Sequence, residues 1–362
     1  MALTDRRLDL RWVSVSMVDG RVLAEFPDTQ WSTLESRLND YATSTVTIPW
    51  DSMPVNWFDA TTPAKVAFLL LSGDNPIWGG WVQERQRNLG DPVLSLSLVT
   101  IEGYFERVLL YNHTFKQVGQ TEIASMLVND EATRRSCIIV DQLPGVSVVK
   151  RDRTYVDKDD KTLLSALQDL SNVTNGIDWT VQWKYEGGSV YKPHVIIADH
   201  IGAIKPVTMF NVESLASFSV NDSYTSDNGA NRVRATSSAD GDVRPQSPWL
   251  EDTDTSRPLF ERSFTPSSSI TNINTLVAHA EAEIAQTKDG AHFVSLGLDF
   301  LTAPVLGTEW NNGDVVAWSL PEIKEWFPDF WAGQARCIGY SIVFGEDAPT
   351  ITPVFTMEGD MS

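Results

Sequence analysis

Hydrophobic positions in the first third of the chain recur at every second residue. In the run PVLSLSLVT, Leu94, Leu96 and Leu98 alternate with Val93, Ser95 and Ser97, the period of a strand with one buried face. A looser alternation over residues 10–25, through Trp12, Val13, Val15, Met17, Val22 and Leu23, is interrupted at Asp19-Gly20, a two-residue hairpin signal. The Thr-rich run 41–50 and the segments 66–73, 76–87 and 92–110 supply further strands. Turn residues Gly73-Asp74-Asn75-Pro76 and Gly90-Asp91-Pro92 separate them. Many short strands with this punctuation predict a small barrel or sandwich.

Beyond Asn112 the period lengthens. Ile123, Met126 and Leu127 share a face of a helix expected over 121–135. A second helix is expected over 158–172, with Leu163, Leu164, Leu167 and Leu170 on one side and Asp159 or Asp160 as N-cap. Strands return over 179–199, where Trp179, Val181 and Trp183 alternate before a turn at Gly187-Gly188. Residues 221–269 are polar and read as a pair of long loops or a flap, with short strands at 231–236 and 259–264. A helix over 270–287, carrying Leu276, Ala280 and Ile284, precedes strands at 291–301, 313–320, 335–345 and 351–357. These last strands predict a second small barrel. The fold class is therefore mainly β with α+β insertions: two small β-barrels with α/β domains between them. The expected divisions are 1–110, 111–185 with the helices, 186–269 with long polar loops, and 270–362.

With 42% hydrophobic residues and 13 Trp in 362 residues, the chain can offset the entropy of ordering and is not a disordered protein. Its net charge of −20 opposes binding to phosphate backbones unless a basic face is concentrated somewhere. None is found. Arg85 and Arg87 are diluted by Glu84, and Lys150, Arg151 and Arg153 by Asp152. Such acidity most often serves solubility, and it would also suit a surface past which nucleic acid slides. No window approaches the ~20 apolar residues of a membrane span, and the start lacks a signal-peptide core. The expectation is synthesis in a cytosol and retention there until assembly. Cys137 and Cys337 each sit in an apolar run and read as buried free thiols, with a disulfide as the alternative.

Catalytic patterns are missing from the sequence. There is no G-x-S-x-G, no H-E-x-x-H and no phosphate loop. His194 and His200 could share one face of an extended segment and hold a metal with Asp199, but solvated or hydrogen-bonded histidines explain them better. The acids Asp157, Asp159 and Asp160 lack the Gly and terminal Glu of a calcium loop and read as caps of the next helix. No catalytic, cofactor-binding or metal-binding residue is assigned, and the chain reads as a non-enzyme without cofactors. The candidate functional residues are instead interface residues. Trp78 and Trp81 flank Gly79-Gly80, where two chains could approach closely. Trp310, Trp318, Trp326 and Trp331 form an aromatic rim among Glu309, Glu322, Glu325 and Asp329. Either group could equally be intramolecular core.

Three stretches carry a resemblance: WGGWVQERQR followed by LSLSLVTIEGYFERVLL; SLASFSVNDSYTSDNGANRVRA; and INTLVAHAEAEIAQ followed by TEWNNGDVVAW. Their order and spacing resemble the tail hub or baseplate hub proteins of long-tailed bacteriophages, nearest the minor tail proteins of phages infecting actinobacteria. The resemblance spans about residues 10–357. It implies a structural protein of the virion tail tip, made in the host cytoplasm. Three copies would each give two barrels to a ring that adapts sixfold to threefold symmetry. It implies contacts with the distal tail or tail-tube protein, the C-terminus of the tape-measure protein, and other minor tail or fibre proteins. Genomic DNA would pass through the lumen without specific binding. Hub proteins often carry a further C-terminal region that is not met here, which would leave enzymatic or receptor-binding roles to other proteins. Two other readings stay open: a receptor- or carbohydrate-binding tail component, whose aromatic platform would lie in 309–331, and a cell-wall glycan hydrolase, which would need two carboxylates facing each other across a cleft.

Overall fold

The computed structural model describes residues 10–142, 147–173, 175–237, 244–266, 270, 272–344 and 348–356. Two compact units divide it. The first comprises the described residues up to Ser217 together with Leu296–Thr356, and the second is Phe218–Ser295.

In the first unit the chain starts with β1 (Leu10–Ser16), β2 (Val22–Glu25), β3 (Gln30–Trp31), β4 (Thr33–Arg37) and β5 (Thr43–Pro49). A one-turn helix α1 (Trp57–Ala60) precedes β6 (Val66–Ser72), β7 (Asn75–Gln86) and β8 (Val93–Thr100). Seven of these strands form one curled sheet in the order β2-β1-β6-β7-β8-β5-β3. The hairpin expected at Asp19-Gly20 is present, with Gly20 at φ +75°. Gly20 needs that conformation and its missing side chain, because a Cβ would lie 2.3 Å from the Tyr191 carbonyl oxygen. Strand alternation sorts the side chains onto two faces. Trp12 and Phe68 meet Trp31, Trp78 and Phe26 on one face, with ring centroids 4.9–6.4 Å apart. Val13, Val15, Leu69 and Leu71 face the other way into a larger core. That second burial is why β6 is apolar without interruption from Val66 to Leu71.

The helices and the next sheet fill the other side of this core. The chain continues through β9 (His113–Gly119), α2 (Gln120–Leu127), β10 (Ile139–Gln142), β11 (Lys150–Tyr155), α3 (Leu163–Ser171), β12 (Asp178–Gly187) and β13 (Val190–Ala198). Ile123 and Leu127 of α2, and Leu163, Leu164, Leu167 and Leu170 of α3, all enter the core, whereas Met126 is exposed. The first helix is shorter than expected because its last turn widens into a π-turn over Val128–Ala132. The cap of α3 is Thr162, whose Oγ1 accepts from Ser165 N, and not Asp159 or Asp160. Asp157–Asp159 form a separate 3-10 turn, and Asp160 adopts the left-handed conformation.

The remaining strands are β14 (Met209–Phe210), β15 (Leu215–Ser223), β16 (Arg232–Ala235), β17 (Leu250–Glu251), β18 (Glu261–Phe264), β19 (Ala291–Asp299), β20 (Val315–Ser319), β21 (Ala332–Val343) and β22 (Thr350–Phe355), with α4 (Ile273–Thr287) before β19. The C-terminal strands do not make a sheet by themselves. They join the order β14-β20-β21-β22-β19-β15, and β4 from the N-terminal region pairs antiparallel with β21, Leu34 facing Ile342. In the second unit, β16 lies between β17 and β18. Ala235, Leu276 and Ala280 bury one face of α4 against this small sheet. The polar region expected as loops or a flap thus holds a three-stranded sheet.

Candidate functional site

Strand β8 ends at Thr100, short of the long strand expected through residue 110, and the chain turns into a 3-10 helix over Ile101–Arg107. Gly103 lets this turn pack closely, since a Cβ there would lie 2.3 Å from Val99 Cγ1. The turn carries Glu102 inward, to 4% exposure. There the carboxylate meets β12, which is an edge strand and has outward backbone amides to satisfy. Glu102 Oε1 accepts from Val181 N at 2.9 Å, and Asn39 Oδ1 accepts from Trp179 N at 2.7 Å. The Thr100 hydroxyl also bonds the Glu102 carboxylate. Burial dominates, nearby Asp40 adds repulsion, and together they push the carboxyl up to about 7 despite these donors.

Glu102 lines a cavity of about 220 Å³ inside the first unit. Trp78 and Gly79 come to it from β7, Gln182, Trp183 and Lys184 from β12, and Tyr340 from β21. The Tyr340 hydroxyl donates to the Ile77 carbonyl at 2.8 Å, and burial raises its pKa. Lys184 is engaged elsewhere, its Nζ donating to Asp141 Oδ2. Among the described residues, no cation forms an ion pair with Glu102.

A second polar cluster ties β10, β12 and β13 together. His194 Nδ1 lies 3.0 Å from both Asp141 oxygens and its Nε2 3.1 Å from Glu186 Oε1. Hydrogen bonds from Lys184 and His194 outweigh partial burial and hold Asp141 below the usual carboxylate value. His200 lies beyond the end of β13, 3.7 Å from Asp178, so the two histidines do not converge. No group of three or more His, Cys, Asp or Glu among the described residues is arranged to hold a metal. Cys137 and Cys337 are buried free thiols, which burial pushes up to about 11 and about 12. Buried Asp178 pairs with half-buried Arg336 and so joins β12 to β21, and Arg336 also donates to the Gly313 and Ile201 carbonyls.

The candidate interface residues fall in three environments. Trp78, Trp81, Trp310 and Trp318 are buried within the protomer. Trp78 Nε1 donates to the Glu35 carbonyl, Trp310 Nε1 to that of Pro304 and Trp318 Nε1 to that of Phe330. Gly79 and Gly80 do permit a close approach, and inside the protomer it is Trp183 that lies against Gly79. Trp331 is half-buried beside Lys324, whose Nζ is 4.9 Å from the ring. Trp326 alone of the eight is widely exposed, at 74%, in a segment with exposed Glu322, Glu325 and Asp329. Sequence reasoning did not single out Glu102. Its available signal was an acid inside an otherwise apolar run, LVTIEGYF.

No protein-family model matches the sequence, and no curated protein does. Solved structures do. The crystal structure of a 43 kDa tail protein of prophage MuSo2 from Shewanella oneidensis matches with a TM-score of 0.55 at 11% identity, over 96% of this chain and 98% of that one. A tail protein from Neisseria meningitidis MC58 matches with a TM-score of 0.53 at 13% identity, over 96% of this chain and 97% of that one. Both matches span nearly the whole of each chain, and the chain has the fold of these tail proteins.

Proposed function

We propose that the protein is a structural component of a phage tail tip, the hub that closes the distal end of the tail tube. The observation that carries the reading is the end-to-end likeness to two tail proteins, over 96% of this chain in each case. Three copies form a ring around a lumen. The ring meets the distal tail or tail-tube protein on one side and minor tail or fibre proteins on the other. Its lumen receives the C-terminus of the tape-measure protein and lets DNA pass. The net charge of −20 supports the last point, since a phosphate backbone finds little to hold on such a surface. Exposed Trp326 at the rim of the C-terminal sheet supports a protein contact there.

Light scattering with negative-stain imaging of the purified chain tests the reading. A ring of three 40.3 kDa chains, about 121 kDa with a central hole, is expected, either alone or on addition of tail-tube protein. A chain that stays monomeric and binds no tail-tube protein refutes it.

A further inference from the structure

We propose that the cavity walled by Glu102, Trp78, Trp183, Gln182 and Tyr340 is a binding site for an organic cation of the alkylammonium or guanidinium class. The inference is independent of the hub reading, since it rests on the inside of one protomer.

A buried carboxylate with few donors and no compensating charge takes up a proton, and a cation arriving beside it stabilises the anion instead. Glu102 receives three hydrogen-bond donors, from Val181 N, the Thr100 hydroxyl and its own backbone, but no cation among the described residues pairs with it. The charged groups around it do not compensate. Asp40 adds negative charge. Tyr340 is buried and neutral, its proton held by the Ile77 carbonyl. Lys184, the cation in the cavity wall, is committed to Asp141, which His194 also contacts. A space of about 220 Å³ beside such a group has room for more than one water molecule, and an apolar occupant would leave the carboxylate without solvent. Trp78 and Trp183 also line the cavity, and an indole face turned to a bound cation attracts it more than a neutral ligand. Gln182, Tyr340 and Asn311 contribute oxygens that can accept the remaining N–H bonds of an ammonium or guanidinium head. A short alkyl stem then lies against Ile77, Ile101 and Val181.

The same head group can come from a free amine or from the lysine or arginine tip of a neighbouring protein. Tryptophan fluorescence and thermal unfolding of the full chain are therefore followed while n-butylammonium, methylguanidinium or N-acetyl-lysine-N-methylamide is added. Sodium at equal ionic strength and neutral n-butanol at equal concentration serve as controls. The expected result is a saturable fluorescence change and a rising Tm with the N–H-bearing cations, at pH 8. Neither control should produce them, and Glu102→Gln should abolish them. Binding should weaken roughly tenfold at pH 6, where the carboxyl is largely protonated. The capped lysine binding as well as n-butylammonium identifies a protein side chain as an admissible source. Binding by the free amines alone identifies a small molecule. Both sustain the cation assignment. A response equal to that of sodium or n-butanol, or one independent of pH in the unmodified protein, overturns it even if the Gln variant fails to fold.

Discussion

Replacing Glu102 with Gln removes one ionisation from the protein interior and leaves the shape of the side chain nearly unchanged. The wild-type carboxyl stands at about 7 in the folded protein, against an ordinary value of 4.5. The folded state therefore holds this proton more tightly than the unfolded chain. Between pH 4.5 and 7 it binds more protons, so stability falls as pH rises across that window and levels off above it. At 1.36 kcal/mol for each pH unit of difference, the loss amounts to about 3 kcal/mol by pH 8. Gln cannot ionise, and its Oε1 can still accept from Val181 N. The stability of the variant relative to wild type should therefore rise by about 3 kcal/mol between pH 4.5 and pH 8, on top of any pH-independent offset. Urea unfolding of both proteins at one fixed concentration, stepped through pH 4.5–8.5, measures this difference and cancels the other titrating groups. A difference that stays flat with pH shows that Glu102 ionises normally, and the argument from its burial and missing counter-ion then fails.

Gly79→Ala would put a Cβ 2.5 Å from both Trp183 Nε1 and Leu69 Cδ2, and overpacking of this kind should cost about 1–3 kcal/mol in denaturant unfolding. Arg336→Met removes the arginine from the buried Asp178 carboxylate, which keeps donors in Asn39 Nδ2 and Ile201 N, and should cost about 1–3 kcal/mol. Adding Asp178→Asn should recover part of that loss, as a double-mutant cycle will show. Trp326→Ser should change the unfolding free energy by no more than about 0.5 kcal/mol. If the exposed rim is a contact between copies, the same variant should lower the mass measured by light scattering at a given concentration.

Local pattern carried much of the fold. The Leu94-Leu96-Leu98 alternation specified β8, and the four leucines of α3 specified its buried face, because each depends only on neighbours in sequence. Chain ends of elements were harder to read. Three aspartates ahead of α3 offered equivalent caps, and the choice of Thr162 depends on the backbone path that puts Asp160 in the left-handed region. The partner of β4 was illegible for a different reason: TLESR alternates like any short strand, and nothing in it points to residues 339–343. At the site, Trp78 and Gly79 stood out as an indole beside paired glycines, but as a contact between chains and not as a cavity wall. Glu102 did not, being one of 48 acids. Its environment comes from β12 and β21, elements about 80 and 240 positions further along.

The pairing of β4 with β21 sets a schedule for biosynthesis. Leu34 meets Ile342, 308 positions later. At a translation rate of roughly 5–20 residues per second, β4 leaves the ribosome about 15–60 seconds before its partner exists. Over that interval the nascent chain can assemble the first curled sheet around Trp12 and Phe68, but it must carry Thr33–Arg37 as an open edge. Glu35 and Arg37, which pair with each other on that strand, put charge on the waiting edge and make it a poor template for a neighbouring nascent chain on the same polysome.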